Sequence, residues 1–129
     1  KQNQLLKVLT KKNRLFATNE LHFSHKILKI NDLYKTKVLC FVHACLNQNT
    51  LNMFHNYFPL LSYTHDHYTR NECDIVIPRS RTNQGSSTVK FKGASFWNNN
   101  EVAKEHLNHS KNIFKNRITS VFLNEYQSE

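Results

Sequence analysis

The chain has 129 residues, enough for one domain with a buried core, and it is 39% hydrophobic and 12% aromatic, which excludes a disordered tail. Eighteen Lys and Arg stand against nine Asp and Glu, a formal charge of +9 that points to phosphate-bearing or otherwise anionic partners. With two Gly and two Pro the chain is neither collagen, a flexible linker nor a turn-dense small barrel, and no apolar run reaches the roughly eighteen residues of a membrane span.

Residues 2–10 read as a short helix with Leu5, Leu6, Val8 and Leu9 as its apolar face. Lys11, Lys12 and Arg14 follow in a polar connector. Thr18 or Asn19 caps a second short helix running to about Lys26. Asn31 and Asp32 are good cap residues ahead of the longest helical pattern. There Leu33, Tyr34, Val38, Phe41, Val42, Cys45 and Leu46 recur at steps of one, three and four, and Leu39, Cys40 and Ala44 widen the stripe. Leu51 to Phe58 read as a short helix stopped by Pro59. Beyond Pro59 the periodicity is lost in a polar, aromatic stretch holding Tyr63, His65, His67, Tyr68 and Arg70. Ile75-Val76-Ile77 then predicts a strand ended by Pro78, and Arg79 to Gly85 a basic loop. Thr88-Val89-Lys90-Phe91-Lys92 alternates and predicts a second strand, closed by Gly93. Ala94 to Leu107 reads as a short helix containing Trp97. Ser110 caps a last helix with Ile113, Phe114, Ile118, Val121 and Phe122 on one face. The expectation is a mainly α fold with a small β-hairpin (α+β). A short helical connector region occupies residues 1–60, and the hairpin with the C-terminal helices occupies residues 61–129.

The chain opens on Lys1 without an apolar leader, so it reads as a piece of something longer without a signal peptide. Cys40, Cys45 and Cys73 are an odd and sparse set, unlike a secreted disulfide framework; they indicate a reducing, intracellular compartment, cytoplasm or nucleus. No metal site is predicted. Cys40-x2-His43-x-Cys45 does not converge on a helix, and His65-x-His67 with Cys73 needs a fourth ligand from elsewhere. His22/His25 and His106/His109, three apart, read as solvated helix pairs. The chain has no G-x-S-x-G, P-loop or H-E-x-x-H, so no catalytic residue is predicted.

The basic and aromatic segment carries more. Arg70, Arg79, Arg81, Lys90 and Lys92 are expected around the hairpin, where guanidinium forks suit phosphates. Tyr68 and Trp97 read as structural aromatics of its core. Lys11, Lys12 and Arg14 either follow a nucleic-acid backbone or form a polar helix face, and the residues leave both open. These eight cations are the candidate nucleic-acid contacts.

Several motifs in this order resemble the region downstream of the polymerase core in LINE-type, jockey-like non-LTR retrotransposon reverse transcriptases. Gln2-Asn3-Gln4-Leu5-Leu6-Lys7-Val8-Leu9 resembles the "QNxLLRIL" helix of that family, and Leu21 to Tyr34 resembles its "L…ILxLxxLY" pattern. His67-Tyr68-Thr69-Arg70 is similar to "HxYxTR", and Ile77 to Gly85 to "lPrxRTxxG". Phe91 to Asn98 is similar to "yxGxxxWN", and Ile113-Phe114-Lys115 to "FKxxL". After Trp97-Asn98 the family's Leu-Pro step is replaced by Asn99-Asn100-Glu101. The resemblance implies a post-palm, thumb-proximal portion of an RNA-directed DNA polymerase. Its partners would be RNA or an RNA–DNA hybrid and the remainder of the same polyprotein, with no membrane. The paired aspartates and Mg²⁺ of the palm have no counterpart: no Asp-Asp occurs, so no cofactor is expected in this chain and no activity from it alone. A different reading is a stand-alone nucleic-acid-binding or scaffold module derived from a decayed element.

Overall fold

The computed structural model describes residues 1–63 and 72–128. Among them the fold is mainly helical: α1 (Gln2–Leu9), α2 (Thr18–Ser24), α3 (Ile30–Leu46), α4 (Asn83–Ser86), α5 (Val89–Asn98), α6 (Glu101–Glu105) and α7 (Lys111–Ser128). Single 3-10 turns lie at Asn52–Phe54 and Leu61–Tyr63.

The central helix is α3, because its apolar stripe is wide enough to serve two neighbours. Val38, Leu39, Val42 and Cys45 are buried, and both α5 and α7 pack on this helix. The partner stripe on α7 repeats every fourth residue: Phe114, Ile118, Phe122 and Tyr126 are all buried. Phe114 stacks on His43 of α3, ring centroids 4.2 Å apart, and on Trp97 of α5 at 6.2 Å. Burying side chains of this size stabilises the fold by roughly 1.5–3 kcal/mol each. The approach of α5 to α3 depends on Gly93. A Cβ there would stand 2.9 Å from the Phe58 ring and 3.0 Å from a Val42 methyl.

The predicted β-hairpin is corrected: no strand forms among the described residues. Thr88 to Lys92, read as the second strand, is the cap and first turn of α5, with the Phe91 N–H donating to Thr88 Oγ1 at 3.4 Å. Five alternating residues do not distinguish the two periods. Helix wins because it carries Ala94 and Trp97 onto α3, where both are fully buried. Ile75 therefore has no strand beside it. Its extended neighbour is Leu60, through one isolated antiparallel bridge flanked by Leu61 N–H to Asp74 O (2.8 Å) and Val76 N–H to Pro59 O (2.9 Å). The amide of Asn98 satisfies the buried backbone of Ile75. Asn98 Oδ1 accepts from the Ile75 N–H at 2.8 Å, and Nδ2 donates to the Ile75 carbonyl at 2.9 Å.

Smaller differences share a cause in capping. The Arg79–Gly85 stretch holds α4, begun by Thr82, whose Oγ1 accepts from the Gly85 N–H at 3.1 Å. The single helix expected over residues 94–107 is divided, because Asn100 Oδ1 accepts from the Ala103 N–H at 2.9 Å and starts α6 anew. Leu51 to Phe58 forms only a 3-10 turn. Of the apolar residues on α1 only Leu6 is buried, while Leu5, Val8 and Leu9 face solvent. Polar groups help dock that helix: Gln2 Nε2 donates to Leu28 O, and Gln2 Oε1 accepts from the Ile30 N–H, each at 3.0 Å.

Candidate nucleic-acid interface

Arg70 and Tyr68 lie outside the described residues. Arg79 and Arg81 are exposed on the connector that leads to α4. Lys90 and Lys92 stand on α5, not beside a hairpin, and two positions apart on a helix they point to different sides. Each is half-buried against an aromatic ring: Lys90 Nζ lies 5.2 Å from the Tyr57 centroid and Lys92 Nζ 5.9 Å from that of Tyr34. Lys11, Lys12 and Arg14 are exposed just beyond α1, where Lys7 Nζ donates to the Arg14 carbonyl at 2.6 Å. Trp97 is wholly buried, and its indole N–H donates to the Cys73 carbonyl at 2.9 Å. The structure thus spreads the candidate cations over the surface.

Acidic side chains leave most of these cations alone. Asp32 accepts from the Tyr126 hydroxyl and lies 3.4 Å from Lys35 Nζ. Asp74 holds Lys104 at 2.9 Å, and Glu101 holds the same ammonium at 3.0 Å. Burial alone would lower the Lys104 pKa, but the two carboxylates more than reverse it and the pKa is raised. Burial, and then the bond to Asp32, likewise raise that of Tyr126. Arg79, Arg81, Lys11, Lys12 and Arg14 have no carboxylate partner among the described residues.

One basic feature escapes sequence reading. A groove of about 850 Å³ runs between α3 and the first half of α7, and the link between α2 and α3 also lines it. Lys26, Lys37, Lys111 and Lys115 line it, and among the described residues neither an Asp nor a Glu does. All four lysines are exposed and lack a carboxylate partner among the described residues. Leu28, Cys40, Phe41 and Ala44 give it an apolar floor. The spacing signal was present: Lys111 and Lys115 share a face of α7, as Cys40 and Ala44 share one of α3. Only the packing of α3 on α7 turns the two faces toward one space.

Two of the expected solvated histidines differ from each other. His25 is exposed, but His22 is fully buried, with Nδ1 2.8 Å from the Ile27 carbonyl and Nε2 3.2 Å from Asn3 Oδ1. His106 and His109 face one another at 5.0 Å. Cys40, Cys45 and Cys73 are free thiols, the first two buried and the third exposed. Among the described residues no three His, Cys, Asp or Glu side chains gather as metal ligands, and His65 and His67 lie outside them. No helix of the described residues is long and apolar enough to cross a membrane. Comparisons with protein-family models, curated proteins and solved structures find no match to this chain.

Proposed function

We propose that the chain is a nucleic-acid-handling, C-terminal portion of a retrotransposon RNA-directed DNA polymerase, holding RNA or an RNA–DNA hybrid inside the cell while the remainder of the polyprotein carries out the chemistry. The observation that carries this reading is the set of exposed cations at Lys11, Lys12, Arg14, Arg79 and Arg81, which have no carboxylate partner among the described residues. A nucleic-acid strand holds small cations condensed on its phosphates, and protein cations that neutralise those phosphates gain from releasing them. The motif order resembling reverse transcriptases supplies the particular nucleic acid. Two of the described aspartates already have partners: Asp32 pairs with Tyr126 and Lys35, and Asp74 with Lys104. In this reading the metal belongs to the palm.

Titrating the chain with labelled single-stranded RNA at several salt concentrations tests the reading. Binding should weaken as salt rises, with each neutralised phosphate contributing about 0.7 to the log–log slope. Arg79→Ala with Arg81→Ala should then make the slope shallower by about 1.4 if each arginine holds one phosphate. An unchanged slope removes the pair from the interface. Absence of any salt-dependent binding by the wild-type chain removes the proposed function.

A further inference from the structure

We propose that the groove between α3 and α7 seats a short single-stranded stretch of nucleic acid, with a base against its apolar floor and phosphates on the lysines of its rim. This rests on the nucleic-acid reading above and assigns it a place that the arginine connector does not supply. Three observations carry it. The charged residues that line the groove are all lysines among the described residues, Lys26, Lys37, Lys111 and Lys115. The lysines converge: Lys115, Lys111 and Lys37 all lower the pKa of the Cys40 thiol on the floor, which burial otherwise raises. The volume, about 850 Å³, is within the range of clefts that take small ligands.

The floor decides the kind of strand. A double helix keeps its bases stacked and offers such a site only sugar and phosphate. A single strand exposes base faces that can cover Leu28, Phe41 and Ala44 while its phosphates stay at the rim. The first turn of α7, with Lys111 and Asn112, opens on the same space, so the positive end of the helix dipole adds to the lysine charge. Thr119 and Asn112 line the groove as well and can bond sugar or base edges without reading sequence. The occupant is therefore recognised by charge and by a base face, not by its sequence.

The test uses the full chain, a labelled uridine decamer and uridine 5′-monophosphate. Cys40 on the groove floor is a built-in reporter, and exposed Cys73 is the reference. Saturating decamer should slow iodoacetamide labelling of Cys40 several-fold, read by mass spectrometry, and leave Cys73 unchanged. Lys37→Gln, Lys111→Gln and Lys115→Gln together should make the salt slope shallower by about 2.1. That cuts the affinity loss between 50 and 200 mM salt by about 18-fold. The three side chains are exposed, so the helical circular dichroism should not change, and the triple Lys→Arg variant should bind as the wild type does. If the decamer binds but Cys40 labels at its free rate and the Gln variant keeps the wild-type slope, the groove proposal is overturned and the general function stands. If the monophosphate protects Cys40 as well as the decamer does at equal concentration, the groove takes a free nucleotide and the strand proposal is overturned. If the wild-type chain binds no decamer at all, the general function falls and this proposal with it.

Discussion

His43 is fully buried beside Phe114, and its Nε2 lies 3.1 Å from the His109 carbonyl, which assigns that nitrogen the proton. Its Nδ1 is buried without a hydrogen-bond partner. A second proton would therefore sit on a nitrogen with no acceptor, and burial, outweighing the backbone carbonyls of His109, Leu107 and His106, lowers the His43 pKa. The sign follows from linkage. The unfolded chain takes up this proton near the ordinary value of about 6.5, and the folded chain takes it up only at lower pH. The stabilising contribution is complete above that ordinary value and is lost as pH falls through the depressed one. Urea denaturation should give a lower midpoint at pH 5 than at pH 7.5, and His43→Gln should remove part of that difference. An equal pH dependence in the variant would clear His43. Asn98 shows the same dependence on surroundings in a neutral group. In the sequence it is one of three consecutive asparagines. In the fold its amide faces the Ile75 backbone and takes the place of a strand partner.

Helix ends explain most of the boundaries. α1, α2 and α3 close alike, with Lys11, Lys26 and Gln48 in the left-handed region at φ 52°, 52° and 55°. Beyond each, the next N–H turns back: Lys12 to Lys7 O at 3.0 Å, Ile27 to His22 O at 2.9 Å, and Asn49 to Ala44 O at 2.8 Å. Glycine usually fills that position, because an L side chain there strains against its own backbone. The two glycines of this chain are elsewhere, at Gly85 and Gly93. Gln48 is exposed, so Gln48→Gly relieves the strain and removes no packing. After the entropy of the more flexible unfolded chain is subtracted, the variant should be more stable by about 0.5–1 kcal/mol. A lower denaturation midpoint for the variant would show that the left-handed residue carries a contact of its own. The missed helix start at Thr88 belongs here too. A Thr before an alternating run reads equally as a strand residue or a cap, and the N–H of Phe91 decides for the cap.

At the scale of the molecule, α3 depends on residues far along the chain. Its buried face meets Trp97 and Phe114, and Tyr126 of α7 bonds back to Asp32 and to the Lys29 N–H. In proteins most of a helix's stability comes from such packing rather than from intrinsic propensity. Residues 1–60 alone should therefore show little stable helix by circular dichroism. The whole chain should unfold in one transition, with Trp97 fluorescence and helical signal coinciding. Two separated transitions would mean that the N-terminal helices hold themselves together.

The α-helical character of the chain was legible in its sequence, because stripes such as Phe114-Ile118-Phe122 and Leu33-Tyr34-Val38-Phe41-Val42-Cys45 repeat at the helical period over more than two turns. Trp97 is buried, but between α5 and its helical neighbours α3 and α7 rather than in the core of the hairpin expected for it. Five-residue runs were not legible, since Thr88 to Lys92 satisfies either period until α3 offers α5 a surface. Nor was the outward face of α1, because Leu5, Val8 and Leu9 form an apolar stripe whether or not a neighbour covers them. The groove lies furthest from the sequence. Its lysines come from the α2–α3 link, α3 and α7, up to 89 positions apart from Lys26 to Lys115, and only the packing of α3 against α7 makes them one site. Periodicity is a local property that side-chain chemistry imposes on each segment, whereas a shared cavity is a property of how the segments meet.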